Sequence, residues 1–155
     1  MKIGFYLVVA ACLLAIVSCS QSVDLEKSEQ EIGAVLDQYV SSVMREDTEE
    51  YARHVAHDPD MVSFGAFGVP IVGWDALRGV IEGQNAGLDS ILIDQSQVKI
   101  HVLPGGMNAW ATSLWGFRAK AGQNAIDLPV RCTWILEKRE GSWLVVHFHK
   151  SIAAG

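Results

Sequence analysis

Two histidines near the end of the chain are the first residues whose type and spacing could support chemistry. His147 and His149 lie two positions apart in a run of valine, leucine and phenylalanine. Histidine can bind a metal, act as a general base or form a structural hydrogen bond. A His-x-His pair supplies two metal ligands, whereas catalytic zinc sites take three from the protein, and the sequence offers no third ligand nearby. We expect hydrogen bonding at a subunit interface, with a pocket role and metal binding as alternatives.

A second polar group lies at the end of a predicted short helix. His54 and His57 are three positions apart and could share a helix face next to Asp58, so metal binding is one alternative for this group. Exposed histidines are also common at a helix C-terminus, where the dipole favours a protonated imidazole. Asp58 and Asp60 flank Pro59, which indicates a turn rather than an acid–base pair. We therefore predict no metal site and no cofactor.

The N-terminus has the pattern of a secretory signal. Lys2 precedes an uncharged apolar stretch, residues 3–17, which is shorter than the ~20 residues that span a bilayer. The four residues Ile-Val-Ser-Cys that end at Cys19 resemble the lipobox of bacterial lipoproteins. The resemblance implies that residues 1–18 are a signal peptide, that Cys19 is lipidated and that residues 19–27 form a tether.

This resemblance also implies a location. We expect a protein anchored by lipid in the cell envelope and facing the periplasm. Ser20, rather than aspartate, follows the cysteine, and in a Gram-negative host this favours the outer membrane. Within the mature chain Cys132 would then be the one thiol left, so no internal disulfide is expected and the fold depends on its core.

The charge of the chain bears on its binding partners, and its length bears on the number of domains. The chain has 155 residues and a formal net charge of −6, without a cluster of basic residues. Such a chain is not expected to bind nucleic acid. The part after residue 18 has the length of one domain.

Apolar periodicity predicts three helices in the first half of the chain. Ser28 starts a capping-box pattern that precedes the first helix. The apolar stripe of this helix consists of Ile32, Val35, Leu36, Tyr39, Val40, Val43 and Met44. Asp47 and Glu50 predict the start of a short second helix that runs toward Val55. A third helix follows, with Gly87 as its expected end. The apolar face of this helix consists of Trp74, Leu77, Val80 and Ile81.

The second half predicts four long strands joined by short turns. The expected strands are Ile91–Leu103, Met107–Lys120, Ile126–Arg139 and Ser142–Ser151. Short connections between consecutive strands imply an antiparallel meander, and helices segregated before such a sheet imply an α+β fold. Strands of this length must twist and curl. We therefore predict a cone-shaped sheet with its concave side covered by about three N-terminal helices.

The last hairpin carries a family resemblance. Gly141, Ser142 and Trp143 form a Gly-x-Trp turn that leads into Val-His-Phe-His and a basic residue before serine. This ending resembles the SnoaL-like proteins of the nuclear transport factor 2-like superfamily, especially the association domains of calcium/calmodulin-dependent kinase. The similarity covers roughly residues 28–152. It implies the cone fold, a pocket inside the cone and dimers formed through the outer sheet face.

The same resemblance implies which residues face the pocket. Lys150 is expected to point inward with Phe148 and Val146, opposite Trp134 and Leu136. The matching set on the preceding strand is Ala109, Ala111, Ser113 and Trp115. Trp115 and Trp134 stand where the kinase branch has arginines, which favours a flat apolar ligand above one remaining cation. The expected ligand-binding residues are Tyr39, Trp115, Trp134, Phe148 and Lys150, although Tyr39 also fits a core position.

Strict alternation along the last strand predicts which of its residues lie on the convex face, opposite the pocket. Trp143 then shares the convex face with His147 and His149, and these three are the expected interface residues. Relatives that resemble ketosteroid isomerase place a carboxylate base at the position that matches Ser63 and Phe64, where this chain has none. No catalytic residue is therefore predicted.

Two functions remain open from the sequence. The first is a membrane-anchored lipoprotein that binds a small apolar or weakly acidic molecule in the cone, with isomerase- or hydrolase-like activity as an extension. The second is a noncatalytic association module that forms a homodimer or binds a protein partner. The superfamily includes both enzymes and assembly modules, so its fold does not decide between them.

Overall fold

The computed structural model describes residues 24–152. The predicted signal peptide, the lipidation site Cys19 and the first part of the tether lie outside the described residues. Among the residues described, no helix is long and apolar enough to cross a membrane.

The first helix, α1 (Leu25–Met44), starts earlier than its sequence pattern indicates. The side chain of Asp24 accepts a hydrogen bond from the backbone N–H of Lys27 at 3.0 Å and so caps the helix. Ser28 lies inside the helix and is buried, so the predicted cap at Ser28 is wrong. Residues 25–27, assigned to the tether, therefore form the first turn of α1.

The other two helices lie where their patterns place them. Helix α2 (Thr48–Ala52) is capped by Asp47, whose carboxylate accepts from the backbone N–H of Glu50 at 2.9 Å. It ends before Val55, because the backbone around Val55 pairs with the edge of the sheet instead. Helix α3 (Trp74–Gly87) ends at the predicted glycine.

The sheet confirms the predicted antiparallel meander. Two short strands, β1 (Val62–Ser63) and β2 (Ile71–Val72), form a small hairpin of their own. The main strands, in the spatial order β3-β4-β5-β6, are β3 (Asp89–Val102), β4 (Asn108–Ala121), β5 (Asn124–Arg139) and β6 (Ser142–Ile152). The three helices and this curled sheet form the expected α+β cone.

The core lies between α1 and the concave face of the sheet. The buried stripe of α1 includes Ile32, Leu36 and Tyr39, each fully buried. It packs against the inward side chains of β4 and β5. The predicted inward set of β4 is confirmed, because Ala109, Ala111, Ser113 and Trp115 are all buried.

A β-bulge changes the alternation of β6. Ile135 pairs with His147 and the next residue, Leu136, pairs with Val145, so Val146 is an extra residue in β6. A bulge of this kind shifts the side chains before it to the opposite face relative to strict alternation. Trp143 and Val145 are consequently buried in the core. The prediction that Trp143 shares the outer face with the histidines is wrong, as is the prediction that Val146 is the inward residue.

The outer edge of β6 is covered by two loop segments. Val145 exchanges backbone hydrogen bonds with His54 and Ala56, each 2.9 Å long. Farther along, the N–H of Phe64 donates to the carbonyl of Phe148, and the N–H of Lys150 donates to the carbonyl of Phe64, again at 2.9 Å. These bonds protect a sheet edge and hold the segment after Phe64 beside Lys150.

Candidate ligand-binding cavity

A cavity of about 340 Å³ lies between α3, the sheet and the loop of residues 65–67. This volume is at the lower end of the ~300–1,000 Å³ range of small-molecule sites. Its walls are mainly apolar and include Leu77, Ile81, Trp115, Phe117 and Phe148. Two polar side chains reach it, those of Gln84 and Lys150. The cavity can therefore hold a small apolar molecule with few polar contacts.

The ammonium of Lys150 is surrounded by aromatic rings. Its Nζ lies 4.7 Å from the ring centre of Phe148, 4.8 Å from that of Trp115 and 5.4 Å from that of Tyr39. We call these three rings the aromatic cage. Ring faces attract a cation within about 6 Å. No carboxylate among residues 24–152 pairs with this ammonium.

Burial changes the acid–base behaviour of this corner of the cone. Desolvation lowers the pKa of Lys150 from 10.5 to about 8. One ionisable neighbour is Cys132, which lies opposite Lys150 on β5. Burial raises the pKa of the Cys132 thiol to about 12, so this thiol is protonated at neutral pH and supplies no counter-charge.

The aromatic cage is held in place by contacts behind it. The indole Nε1–H of Trp115 donates to Oε1 of Gln95 at 2.9 Å. The hydroxyls of Tyr39 and Tyr51 share a hydrogen bond of 2.9 Å, with both rings buried. Burial and the neighbouring Tyr51 raise the pKa of Tyr39, which keeps its hydroxyl neutral. The cage is therefore formed before any ligand arrives.

The five expected ligand-binding residues are brought together but do not share one role. Trp115, Phe148 and Lys150 line the cavity. Tyr39 and Trp134 do not line it: both are fully buried beneath it, with their ring centres 6.3 Å apart. Tyr39 contributes one face of the aromatic cage, and Trp134 packs against the ring of Trp115 at 5.8 Å. These two residues support the site rather than contact a ligand in it.

Two features of the cavity were missed from the sequence. Gln84 projects from α3 into the cavity wall, and its Nε2 is buried without a hydrogen-bond partner among the described residues. The loop residues Gly65, Ala66 and Phe67 close another side, with Phe67 largely exposed to solvent. A lone glutamine on a helix carries no sequence signal for a site. Gly65 and Gly68, on either side of Phe67, are typical of a break between helices and carry no signal for a cavity wall.

The two histidines of β6 lie on the outer face, away from the cavity. Nδ1 of His147 donates to the carbonyl of Val62 at 2.7 Å. The ring of Phe64 packs edge-on between His147 and His149, at 5.7 and 5.5 Å. Residues 24–152 contain no group of three or more histidine, cysteine or acidic side chains arranged to hold a metal.

The second polar group is also occupied by local contacts. His54 Nε2 donates to Glu50 at 3.0 Å, and His57 stacks on Trp74 with ring centres 4.1 Å apart. Asp58 accepts two hydrogen bonds from Arg139, at 2.7 and 2.8 Å, and these hold the pKa of Asp58 below its usual range. A carboxylate held ionised in this way is a weak general base. His54, His57 and Asp58 therefore make structural contacts that stabilise the fold.

The position that matches the isomerase base carries no ionisable group. Ser63 is buried, and its hydroxyl has no hydrogen-bond partner among the described residues. Phe64 is partly exposed on the outer face. Lys150 is the one titratable side chain among the described residues that line the cavity. The cavity thus presents a cation, an amide and apolar walls.

The cone of helices and curled sheet is the fold of the nuclear transport factor 2-like superfamily. A superfamily member from Salmonella enterica superposes with a TM-score of 0.77 at 20% identity, covering 84% of this chain and 94% of its own. A proposed dehydratase of the family from Streptomyces avermitilis gives 0.76 at 14% identity, covering 84% and 99%. A proposed calcium/calmodulin-dependent protein kinase II association domain from Xanthomonas campestris gives 0.68 at 18%, covering 80% and 86%.

The sequence itself identifies the family within this superfamily. Residues 32–155 match the model of the SnoaL-like domain, and the chain belongs to that family. The comparison with curated proteins found no match. At identities of 14–20% the solved structures show a shared fold and leave the activity open.

Proposed function

We propose that this protein binds a small, largely apolar molecule that carries a weakly acidic group. The observation that carries the proposal is the ammonium of Lys150, which reaches an apolar cavity without an anionic partner among residues 24–152. A lysine at a strand end often extends its charge into water while its stem covers apolar surface. Here the nitrogen instead lies among three aromatic rings.

An anionic ligand group would complete this arrangement. A buried charge is costly unless it is paired, and a carboxylate within hydrogen-bond distance of the ammonium would supply the pair. The flat or aliphatic part of the ligand would lie against Trp115 and Phe148, while Gln84 offers an amide donor. Solved relatives include a proposed scytalone dehydratase and a proposed aromatic ring hydroxylase from Novosphingobium aromaticivorans. These support a ligand-binding cone, but the cavity holds no acid–base pair among the described residues, so we propose binding without catalytic turnover.

The test is a screen of amphipathic acids, such as short fatty acids and arylalkanoic acids, by tryptophan fluorescence and melting temperature. Lys150→Met keeps an apolar stem and removes the charge. We expect it to weaken an acid that binds by roughly 1.5–3 kcal/mol, the range of a charge-assisted hydrogen bond. Lys120→Met, at an exposed position of β4, is the matched control and should leave binding unchanged. Failure of every acid to alter fluorescence or melting would contradict the proposal.

The proposal extends to the location of the protein. The apolar stretch before Cys19 and the lipobox-like residues support a lipoprotein anchored in the cell envelope, with the cavity exposed on the periplasmic side. Cys19→Ala should block lipidation and move the protein out of the membrane fraction. A variant that is processed and fractionates like the wild type would rule out the anchor.

A second candidate function rests on the outer sheet face. Trp110, Leu114 and Ile135 are each about two-fifths exposed there, and exposed apolar patches often mark interfaces. They support a homodimer, or an association module, that leaves the cavity free. Light scattering at tens of micromolar should give the mass of a dimer, and Ile135→Lys should give a monomer. Val69→Lys, in an exposed loop, is the control; a monomeric wild type would exclude this interface.

A further inference from the structure

The cavity that offers a cation to an acid also offers an amine to a carbonyl compound. We infer that Lys150 captures small apolar aldehydes as a reversible imine, with the cavity as the binding site and the amide of Gln84 as a donor to the carbonyl oxygen. This inference rests on the proposed function insofar as both need the cavity to admit a ligand. The inference goes beyond the proposed function because it assigns covalent chemistry to Nζ of Lys150.

The geometry around the lysine favours a nucleophilic amine. Lysines that form imines are typically desolvated in apolar pockets or placed next to another cation. Lys150 reaches the cavity through an aromatic cage, and no carboxylate among residues 24–152 holds it as an ammonium. The ionisable groups packed around it are Tyr39 from α1 and Cys132 from β5, and burial raises the pKa of both. All the neighbouring groups are therefore neutral near pH 7.

The acid–base state supports the same chemistry. With a pKa of about 8, roughly one amine in ten is neutral at pH 7. At the ordinary value of 10.5 the neutral fraction would be roughly one in three thousand. The gain in free amine is therefore more than a hundredfold by order of magnitude.

The reaction needs no partner other than the aldehyde. The neutral Nζ attacks the carbonyl carbon, forming a carbon–nitrogen bond as the electron pair of the C=O bond moves to oxygen. The two hydrogens of the amine leave with that oxygen as water, and the imine C=N bond remains. Gln84 has a buried Nε2–H without a partner among the described residues, and this group can polarise the carbonyl before attack. Hydrolysis reverses the reaction, so the capture is an equilibrium.

The experiment compares 3-phenylpropanal with its acid, 3-phenylpropanoate, on the full-length protein. Cyanoborohydride reduces any imine to a stable secondary amine, which adds the mass of the aldehyde minus one oxygen atom. Peptide mapping then locates the adduct. We expect saturable labelling at Lys150, at least about tenfold above that of the exposed Lys99 and Lys120. Labelling should rise with pH to a midpoint near 8, and the acid should compete with it.

Variants separate the amine from the charge. Lys150→Arg retains a cation but has no imine-forming nitrogen, so the adduct at this position should disappear while the background at Lys99 stays. If this variant does not fold, mapping of the wild type still decides, because the adduct is read at a single peptide. Gln84→Leu, which keeps the size and removes the amide, should slow labelling several-fold.

The outcomes distinguish this inference from the proposed function. If the acid binds and Lys150 is labelled no faster than Lys99 and Lys120, the imine inference is wrong and acid binding stands. Labelling at Lys150 without acid binding would support imine formation and contradict the proposal that the cavity binds acids. If neither compound nor any other member of the acid screen enters the cavity, both ideas are overturned.

Discussion

Replacing Lys150 with methionine should make the ligand-free protein more stable at neutral pH. The pKa of Lys150 falls from 10.5 to about 8 on folding, which corresponds to about 3 kcal/mol against the charged form at ~1.4 kcal/mol per pKa unit. Attraction to the three rings offsets part of this cost, by about 0.5–2 kcal/mol. Methionine fills similar space without a charge. The expected net gain in the free energy of unfolding is therefore about 1–3 kcal/mol.

The sign of the pH dependence follows from the direction of the shift. Because the pKa of Lys150 is lower in the folded state, the unfolded chain binds more protons between about pH 8 and pH 10.5, and wild-type stability rises with pH there. At a folded-state pKa of about 8 the rise from pH 7 to pH 9 amounts to about 1.3 kcal/mol, and attraction of the ammonium to the rings makes it smaller. Cys132 and Tyr39 act in the opposite direction, because burial raises the pKa of each and the unfolded chain loses those protons first. The methionine variant keeps both groups, so the difference between the two proteins isolates Lys150.

The assay is urea unfolding followed by tryptophan fluorescence, near pH 7 and near pH 9. Lys120→Met, on the exposed side of β4, controls for the loss of a surface charge. The gap between Lys150→Met and wild type should shrink by up to about 1.3 kcal/mol from the lower to the higher pH. A variant that is less stable than wild type by the same amount at both pH values would refute the reasoning, since the rings would then stabilise the ammonium more than burial opposes it.

The remaining predictions concern the fold around the site. Trp143→Ala should lose about 3–5 kcal/mol in urea unfolding because it empties a buried core position, whereas His149→Ala, on the exposed face, should change stability by less than about 0.5 kcal/mol; equal small losses would contradict the bulge. Gly73→Ala should destabilise by about 1–3 kcal/mol, because its φ is +80° and a Cβ would lie 2.7 Å from the carbonyl oxygen of Pro59. Gly79→Ala, in open space on α3, should stabilise by about 0.5–1 kcal/mol, and a loss in its melting temperature would count against that reading. Asp58→Asn should cost about 1 kcal/mol or less, since the ion pair is partly exposed. Because the pKa of Asp58 is lowered on folding, that loss should be fully present above pH 3.8 and should shrink as the pH falls through the lower folded-state pKa and the carboxylate is protonated.

Much of the architecture was predictable because its signals are local. Helical spacing in the stripe that includes Leu36 and Tyr39 predicts α1, and turn residues separate the four long strands close to their observed bounds. Alternation groups Trp115 and Trp134 with their same-face neighbours, because the pairing of β4 with β5 contains no bulge, and the family resemblance implies that this face is the inward one. The predicted N-cap of α1 is wrong because serine and aspartate are both common N-cap residues. The structure has Ser28 buried inside the helix and Asp24 at the cap position.

The candidate site was only partly predictable. Phe148 and Lys150 share an inward face in the sequence reading and in the structure. Gln84 was missed, since a glutamine on a helix has the same local pattern whether it faces water or a cavity. Tyr39 and Trp134 were expected at the ligand and lie beneath the cavity instead. Alternation determines which face a side chain takes but not how deep it lies, because depth depends on the helices packed above it.

The amino-acid sequence alone determined the type and order of the elements. It also carried the family resemblance, which in turn implied the inward direction of Lys150. The tertiary structure decided the facing of Trp143, because one extra residue at Val146 reverses the alternation and a bulge has no reliable sequence signal. It also decided the surroundings of the Lys150 ammonium. The ring of Tyr39 comes from α1 and that of Trp115 from β4, far from β6 in sequence. Desolvation depends on all the groups that exclude water at one point in space, so the lowered pKa of this lysine is a property of the folded cone.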